Sequence, residues 1–402
     1  MEKKLVISTF VLLLVSACGQ AKITPPTPSI PASLLVASPS AANLLPSTTS
    51  LPSLPIQTAS PKPTQTPLSP TNTATTAPPP DVNNLVVIDA SNTQSLQRLA
   101  TLTGHTNRVT DLAFSADGSY IASTGWDKKI RLWDLSSMQE VASFPIAEAD
   151  LNVIAFSPDG SLLASAEAIW DVSSGERINV LNTRPVAPGH IAFSPDGTQL
   201  AVAGFHQSIE IWDVNSGSVL RTIDIPAEAV GFFNINYSTD GKSLAAGGAQ
   251  NGTVTFLDVD TGQVTASFEH GNASDIHDVA ISPDGHLLAS GGTDYAARIW
   301  DIATGEVLFK LHLGNGIYSL AFSPDGALLA TAGCDRTVKL WDVESGRMLR
   351  SLSHPDELMA VAFSADGKLL AAGGYDFTIV VWGISNIVAG ETPGVVSPTD
   401  VP

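Results

Sequence analysis

Residues Ile317–Gly346 read IYSLAFSPDGALLATAGCDRTVKLWDVESG. One apolar run ends in Phe322, a Ser-Pro-Asp-Gly turn follows, a second apolar run leads to Gly333, and a third closes on Trp341-Asp342. Variants of this stretch recur seven times, with turns at Asp117-Gly118, Asp159-Gly160, Asp196-Gly197, Asp240-Gly241, Asp284-Gly285, Asp325-Gly326 and Asp366-Gly367. The residues that open these turns are Phe114, Phe156, Phe193, Tyr237, Ile281, Phe322 and Phe363, spaced 42, 37, 44, 44, 41 and 41 apart. Asp bonds back to the local backbone and Gly accepts positive φ, so each pair suits a tight turn between two strands. In the sixth copy the pattern predicts strands over about 318–322, 328–332, 338–342 and 348–352. These runs are apolar nearly throughout rather than alternating, as in sheets covered on both faces. Eight residues after each turn-opening residue stands an alanine: Ala122, Ala164, Ala201, Ala245, Ala289, Ala330 and Ala371. Converging sheets leave room there for one methyl, and a larger side chain would overpack at a cost of ~1–3 kcal/mol.

A period near 40 that closes on Trp-Asp resembles the WD-repeat family of β-propellers. The resemblance covers roughly residues 95–385. It implies an all-β fold, a seven-bladed β-propeller closed by an N-terminal strand. The last copy ends at Trp382 with no convincing outer strand after it, and Ser95–Leu102, SLQRLATL, resembles the missing one. Residues of about 94–103 are therefore expected to close the ring and remove its free edges. The family's best blades carry a bonded His–Ser/Thr–Asp–Trp set, matched in blade one by His105, Ser123, Asp127 and Trp133. On paper this looks like a catalytic triad; it is read as a structural polar network that satisfies the indole N–H. Blade five keeps Ser290, Asp294 and Trp300, and blade six Thr331, Asp335 and Trp341. Blade seven has His354, Asp376 and Trp382 but Ala372 in the hydroxyl place. Blade three has Val202 and His206, blade four has Leu257 for Trp, and blade two is shortened before Trp170, so blades two to four form the softer arc.

In this family the turns between second and third strands surround the channel mouth and contact partners. The aromatic positions carried over are Trp126, Phe205, Tyr295, Tyr375 and Phe377, the candidate partner-binding residues. The formal charge is −19, from 20 Lys and Arg against 39 Asp and Glu, which argues against nucleic acid. No phosphate-binding Gly-rich loop, Gly-x-Ser-x-Gly turn or His-Glu-x-x-His occurs. No catalytic residue, metal or cofactor is assigned. The nearest metal-like cluster, His270, Asp275, His277 and Asp278, matches no ligand spacing, and His270 or His277 is expected to stand in for blade five's missing loop histidine.

The chain begins with Lys3-Lys4 and the short apolar run Leu5–Val15, too short to span a bilayer. Ala17-Cys18-Gly19 then resembles the processing site of bacterial lipoproteins, which implies lipidation of Cys18. Residues 1–17 are read as a lipoprotein signal peptide, 18–84 as a disordered Pro/Ser/Thr-rich stalk, 85–386 as the propeller and 387–402 as a disordered tail. The second cysteine, Cys334, is expected to be an inert thiol. The expected function is a lipid-anchored envelope protein, a monomeric propeller outside the cytoplasm that acts as a scaffold for an unidentified protein partner. An envelope assembly factor, or a ligand-binding or hydrolytic propeller, are the alternatives.

Overall fold

The structure, a computed structural model, describes residues 79–146, 153–165, 167–181, 188–204, 208–224, 232–248, 252–271 and 275–386. The signal segment, Cys18, the stalk as far as residue 78, Phe205 and the tail from 387 lie outside the described residues. Among the described residues the strands form seven antiparallel sheets. Blade one is Val109–Phe114, Tyr120–Gly125, Lys129–Asp134 and Gln139–Pro145. Blade six is Ile317–Phe322, Leu328–Gly333, Thr337–Asp342 and Met348–Ser353, within a residue of the boundaries read from the repeat. The innermost strand of each blade packs against that of the next, and the seventh packs against the first, so the sheets form a closed seven-bladed ring. All seven repeat alanines are at 0% exposure, and six of them face a second alanine or, at Ala245, Asn236 on the inner strand. Blade seven completes the set with Ala362 opposite Ala371.

Closure uses the residues that the repeat left over. Gln97–Thr103 pairs antiparallel with Thr378–Ser385, the third strand of blade seven. Leu102 sits opposite Ile379 and is 2% exposed. That is the place taken in other outer strands by Ile223, Phe268, Leu311 and Leu352, each the one buried residue of an otherwise exposed strand. Leu102 is thus a true outer-strand residue supplied from the far end of the chain. A second clasp was not legible in the repeat: Leu85–Val86 pairs with Ile384 and Ser385, and Ile88 is buried in the core shared by blades six and seven.

The seven turns between first and second strands share a bonded device. A Ser two residues before each turn Asp donates its hydroxyl to that Asp at 2.5–2.7 Å. The same oxygen accepts the backbone N–H that begins the second strand. These Ser hydroxyls, with backbone donors, hold Asp117, Asp159, Asp196, Asp240 and Asp284 below the usual carboxylate range. Each turn is a satisfied unit, so the carboxylates are committed to folding rather than to a cation.

Blade two is the irregular one. Its inner strand is Ile154–Phe156, and Leu162–Ser165 and Ala168–Asp171 are separated by only two residues. Cys334 is buried just after the second strand of blade six; the chain's other cysteine, Cys18, lies outside the described residues.

Candidate functional site

The turns between second and third strands meet the loops that lead into each blade. Gly125, Gly292, Gly333 and Gly374 end the second strands where a Cβ would press on a carbonyl oxygen of that loop. The next residue then donates its N–H to the same carbonyl, as from Trp126 to Arg108 and from Tyr375 to Glu357. One residue after the turn Asp the backbone is left-handed at Lys128, Tyr295, Arg336 and Phe377, with φ of 60°, 64°, 62° and 68°. Side chains other than Gly pay roughly 1–2 kcal/mol for that conformation. Tyr295 and Phe377 are nonetheless 47% and 42% exposed, and Lys128 and Arg336 are exposed too. Blades five, six, seven and one therefore display aromatic, cation, aromatic and cation at equivalent places.

Behind these tips lie the polar networks. In blade one His105 Nδ1 lies 3.0 Å from Asp127, His105 Nε2 lies 2.8 Å from Ser123 Oγ, and Trp133 Nε1 donates to the same oxygen at 2.8 Å. Ser123 is at 0% exposure, so its hydroxyl is sealed and already occupied rather than poised to attack. Blade five rebuilds the set with His270, whose Nε2 lies 2.6 Å from Ser290 Oγ. Arg298 Nη1 donates to His270 Nδ1 and to Asp294 Oδ2 at 2.6 Å. An Arg has no acceptor, so His270 Nδ1 must accept and Nε2 carries the proton. Burial lowers the pKa of both histidines, which favours their neutral forms. The cations four residues after the turn Asp were missed in the sequence: Arg131, Arg298 and Lys339 each pair with Asp127, Asp294 and Asp335. Their i, i+4 spacing across the turn was the available signal.

Where the set is broken, buried polar atoms go unpartnered. Trp212 Nε1 faces Val202 in the hydroxyl place and has no acceptor. Val202→Thr keeps the shape and offers an oxygen, as Thr331 does to Trp341 at 3.0 Å. We expect about 1 kcal/mol of stabilisation. An unchanged or lower urea midpoint would count against this account of blade three.

The expected aromatic positions separate into two groups. Trp126 and Tyr375 clasp Arg108, whose guanidinium carbon lies 3.2 Å from the Trp126 ring centre and 4.8 Å from that of Tyr375. Arg108 Nη1 also donates to the Tyr375 hydroxyl at 2.6 Å, so this stack staples blade one to blade seven. Tyr295 and Phe377 remain outside it, on the exposed tips. Three members of the metal-like cluster have other roles: His270 serves the blade-five network, His277 stacks on Tyr318 at 5.2 Å, and Asp278 accepts the Leu320 N–H at 2.7 Å. Among the described residues no group of three or more metal-ligating side chains converges.

The ring encloses an axial cavity of about 400 Å³. Three residues before each turn-opening residue stand Asp111, Val153, His190, Asn234, Asp278, Ser319 and Ala360, one level of the inner wall. Asp111 Oδ2 accepts the Ile154 N–H at 2.9 Å, and Ser319 Oγ the Val361 N–H at 3.2 Å, so this level ties blade to blade. His190 ties in the opposite sense, its ring donating to the backbone of Ile235. Burial pushes Asp111 and Asp278 up to about 7 and His190 down to about 4.

Five segments match the family described as "WD domain, G-beta repeat": residues 96–134, 182–213, 262–301, 305–342 and 346–383. Five of the blades carry WD repeats. The first match begins on the closing strand and each ends at the Asp of a third strand, or just beyond the Trp in blade seven, so the repeat straddles two blades. The segments left unmatched contain blade two, with its shortened turn, and the first three strands of blade four, with Leu257 for Trp. The chain is 28% identical to a WD repeat-containing protein SL1-17 of Schistosoma mansoni, over 56% of this chain and 61% of that protein. It is 26% identical to the transcriptional corepressor LEUNIG_HOMOLOG of Arabidopsis thaliana, over 57% of this chain and 29% of that one. It is 26% identical to a serine-threonine kinase receptor-associated protein of Gallus gallus, over 51% and 46%. The chain thus spans less than two thirds of the length of each. A rigid WD-repeat ring that holds variable loops is suited to gripping protein partners.

Proposed function

We propose that this WD-repeat propeller is a non-enzymatic docking platform whose partner sits on the tips of blades five, six, seven and one, and that a lipid on Cys18 holds it at the cell envelope. The row Tyr295, Arg336, Phe377 and Lys128 carries the reading. Gly would fit these left-handed positions without strain, yet two hold exposed aromatics. Exposed aromatics with Arg beside them are the side chains that dominate protein interfaces. The relatives' names point the same way for a receptor-associated protein and a corepressor. The anchor rests on the Lys3-Lys4, Leu5–Val15 and Cys18 pattern and on the charge-poor stalk that follows. Two acyl chains bind a membrane stably where one does not.

The test is crosslinking in intact cells followed by mass spectrometry, with the parent and a Tyr295→Gly/Phe377→Gly variant. The variant relieves backbone strain, so its melting temperature should hold or rise while the crosslinked partner disappears. An identical set of crosslinks from both forms would remove the docking face from this position. The same spectra report the mature N-terminus: a diacylglyceryl thioether on Cys18 is expected. A Cys18 recovered in a disulfide with Cys334 rules the anchor out, because one sulfur cannot hold both bonds.

A further inference from the structure

We propose that the level of the inner wall formed by Asp111, His190, Asn234 and Asp278 is a binding site for a small cationic ligand, an alkylammonium or amidinium compound, held inside the axial cavity. It goes beyond the docking face and stands independently of it. Blade-to-blade ties account for Asp111, Asp278, Ser319 and one nitrogen of His190. They leave two atoms unexplained. Asn234 is 7% exposed and lines the cavity, and its Oδ1 has no hydrogen-bond partner. His190 lines it as well, and its Nδ1 is also unpartnered. Because His190 Nε2 donates to the Ile235 carbonyl, Nδ1 is the lone-pair nitrogen. A buried acceptor without a donor is costly, so two at one level of one cavity mark a place that something with N–H groups fills.

The charge balance selects the ligand. The titratable side chains that line the cavity are Asp111, His190, His277, Asp278 and Tyr318, with no Lys or Arg among the lining residues. An anion would meet two carboxyls there and no counter-charge. A carboxylate offers about four lone-pair directions, so a tie to one backbone N–H leaves room for a ligand ammonium. The next inward position on the same strand face is small, with Ala280 and Ala321 on the lining, which keeps the space open. The volume of about 400 Å³ lies in the range of small-molecule sites. A bound cation also favours the charged form of both carboxyls, so binding at neutral pH must release protons.

The experiment is calorimetric titration of the purified chain at pH 8 with n-butylammonium and with 1,4-diaminobutane, against butyrate and 1-butanol. One amine per chain is expected, with no heat from the two controls. Asn234→Leu and Asp278→Asn should each weaken amine binding at least tenfold while melting no lower than the parent at pH 8. At pH 7 the apparent enthalpy should change with the ionisation enthalpy of the buffer. No binding by either amine, equal binding of 1-butanol, or an affinity unaltered in both variants would overturn the assignment.

Discussion

Removing residues 95–102 abolishes the cooperative native fold, or lowers its melting temperature by tens of degrees. The deletion takes out most of the strand that pairs with Thr378–Ser385, along with Leu96 and Leu102, which are 4% and 2% exposed. Fully burying a leucine is worth ~1.5–3 kcal/mol, so the two side chains alone contribute several kcal/mol. The lost strand also leaves one edge of Thr378–Ser385 unpaired where Ile379, Val380 and Val381 lie, all at or below 1% exposure. Against a total stability of about 5–15 kcal/mol for an ordinary domain, such a loss is most of what holds the ring shut. The remaining clasp, Leu85 and Val86 on Ile384 and Ser385, spans too few residues to replace it. Circular dichroism melts and size-exclusion elution report the result. A shortened chain that melts and elutes like the parent would show that the ring does not depend on its first strand.

That closure could be read from the sequence because the repeat itself was one strand short at Trp382 and had a surplus strand before Val109. Strand boundaries were legible for the same reason: seven copies in register average out the ambiguity of any one. Blade five shows where register stops helping. His105 and His354 each stand nine residues before their turn-opening aromatic, but His270 stands eleven before Ile281. A two-residue lengthening of the loop left His270 and His277 as equal candidates, and only the side-chain bond to Ser290 separates them. The Arg108 clasp was illegible in a stronger sense. Trp126 and Tyr375 are 249 positions apart, brought together by ring closure and by a cation from the intervening loop. Their aromatic character suggested a partner surface, whereas the guanidinium between them uses those faces internally. The inner-wall level was not singled out from the sequence, although its members share one register position, because its ties run to backbone groups of a different blade.

The inner wall also sets how stability responds to pH. Asp111 and Asp278 are raised by burial from 3.8 to about 7, with their mutual repulsion adding to the rise at Asp278. Between pH 6.5 and 8 the unfolded chain holds no proton on these carboxyls while the folded ring still does. Stability therefore falls as pH rises through this window, by about 1–2 kcal/mol for the two groups together. The buried histidines act in the opposite direction. Desolvation lowers His105, His190, His270, His277 and His354, so the unfolded chain takes up their protons first and acid destabilises the ring. Below about pH 4 the turn aspartates, and Asp294 with its pKa of about 2, add to that loss. An Asp111→Asn/Asp278→Asn variant removes the alkaline limb. It forfeits an acceptor for a backbone N–H at each site, at about 1 kcal/mol each. At pH 8 it also relieves charged burial with a ceiling of about 4 kcal/mol per group, from a shift of about three units at about 1.4 kcal/mol each. The gap between the two curves should then depend on pH: the variant melts well above the parent at pH 8, and its advantage shrinks toward pH 5. Melting curves that run parallel from pH 5 to pH 8 would mean that these two carboxyls are ordinary acids, charged in the fold at neutral pH.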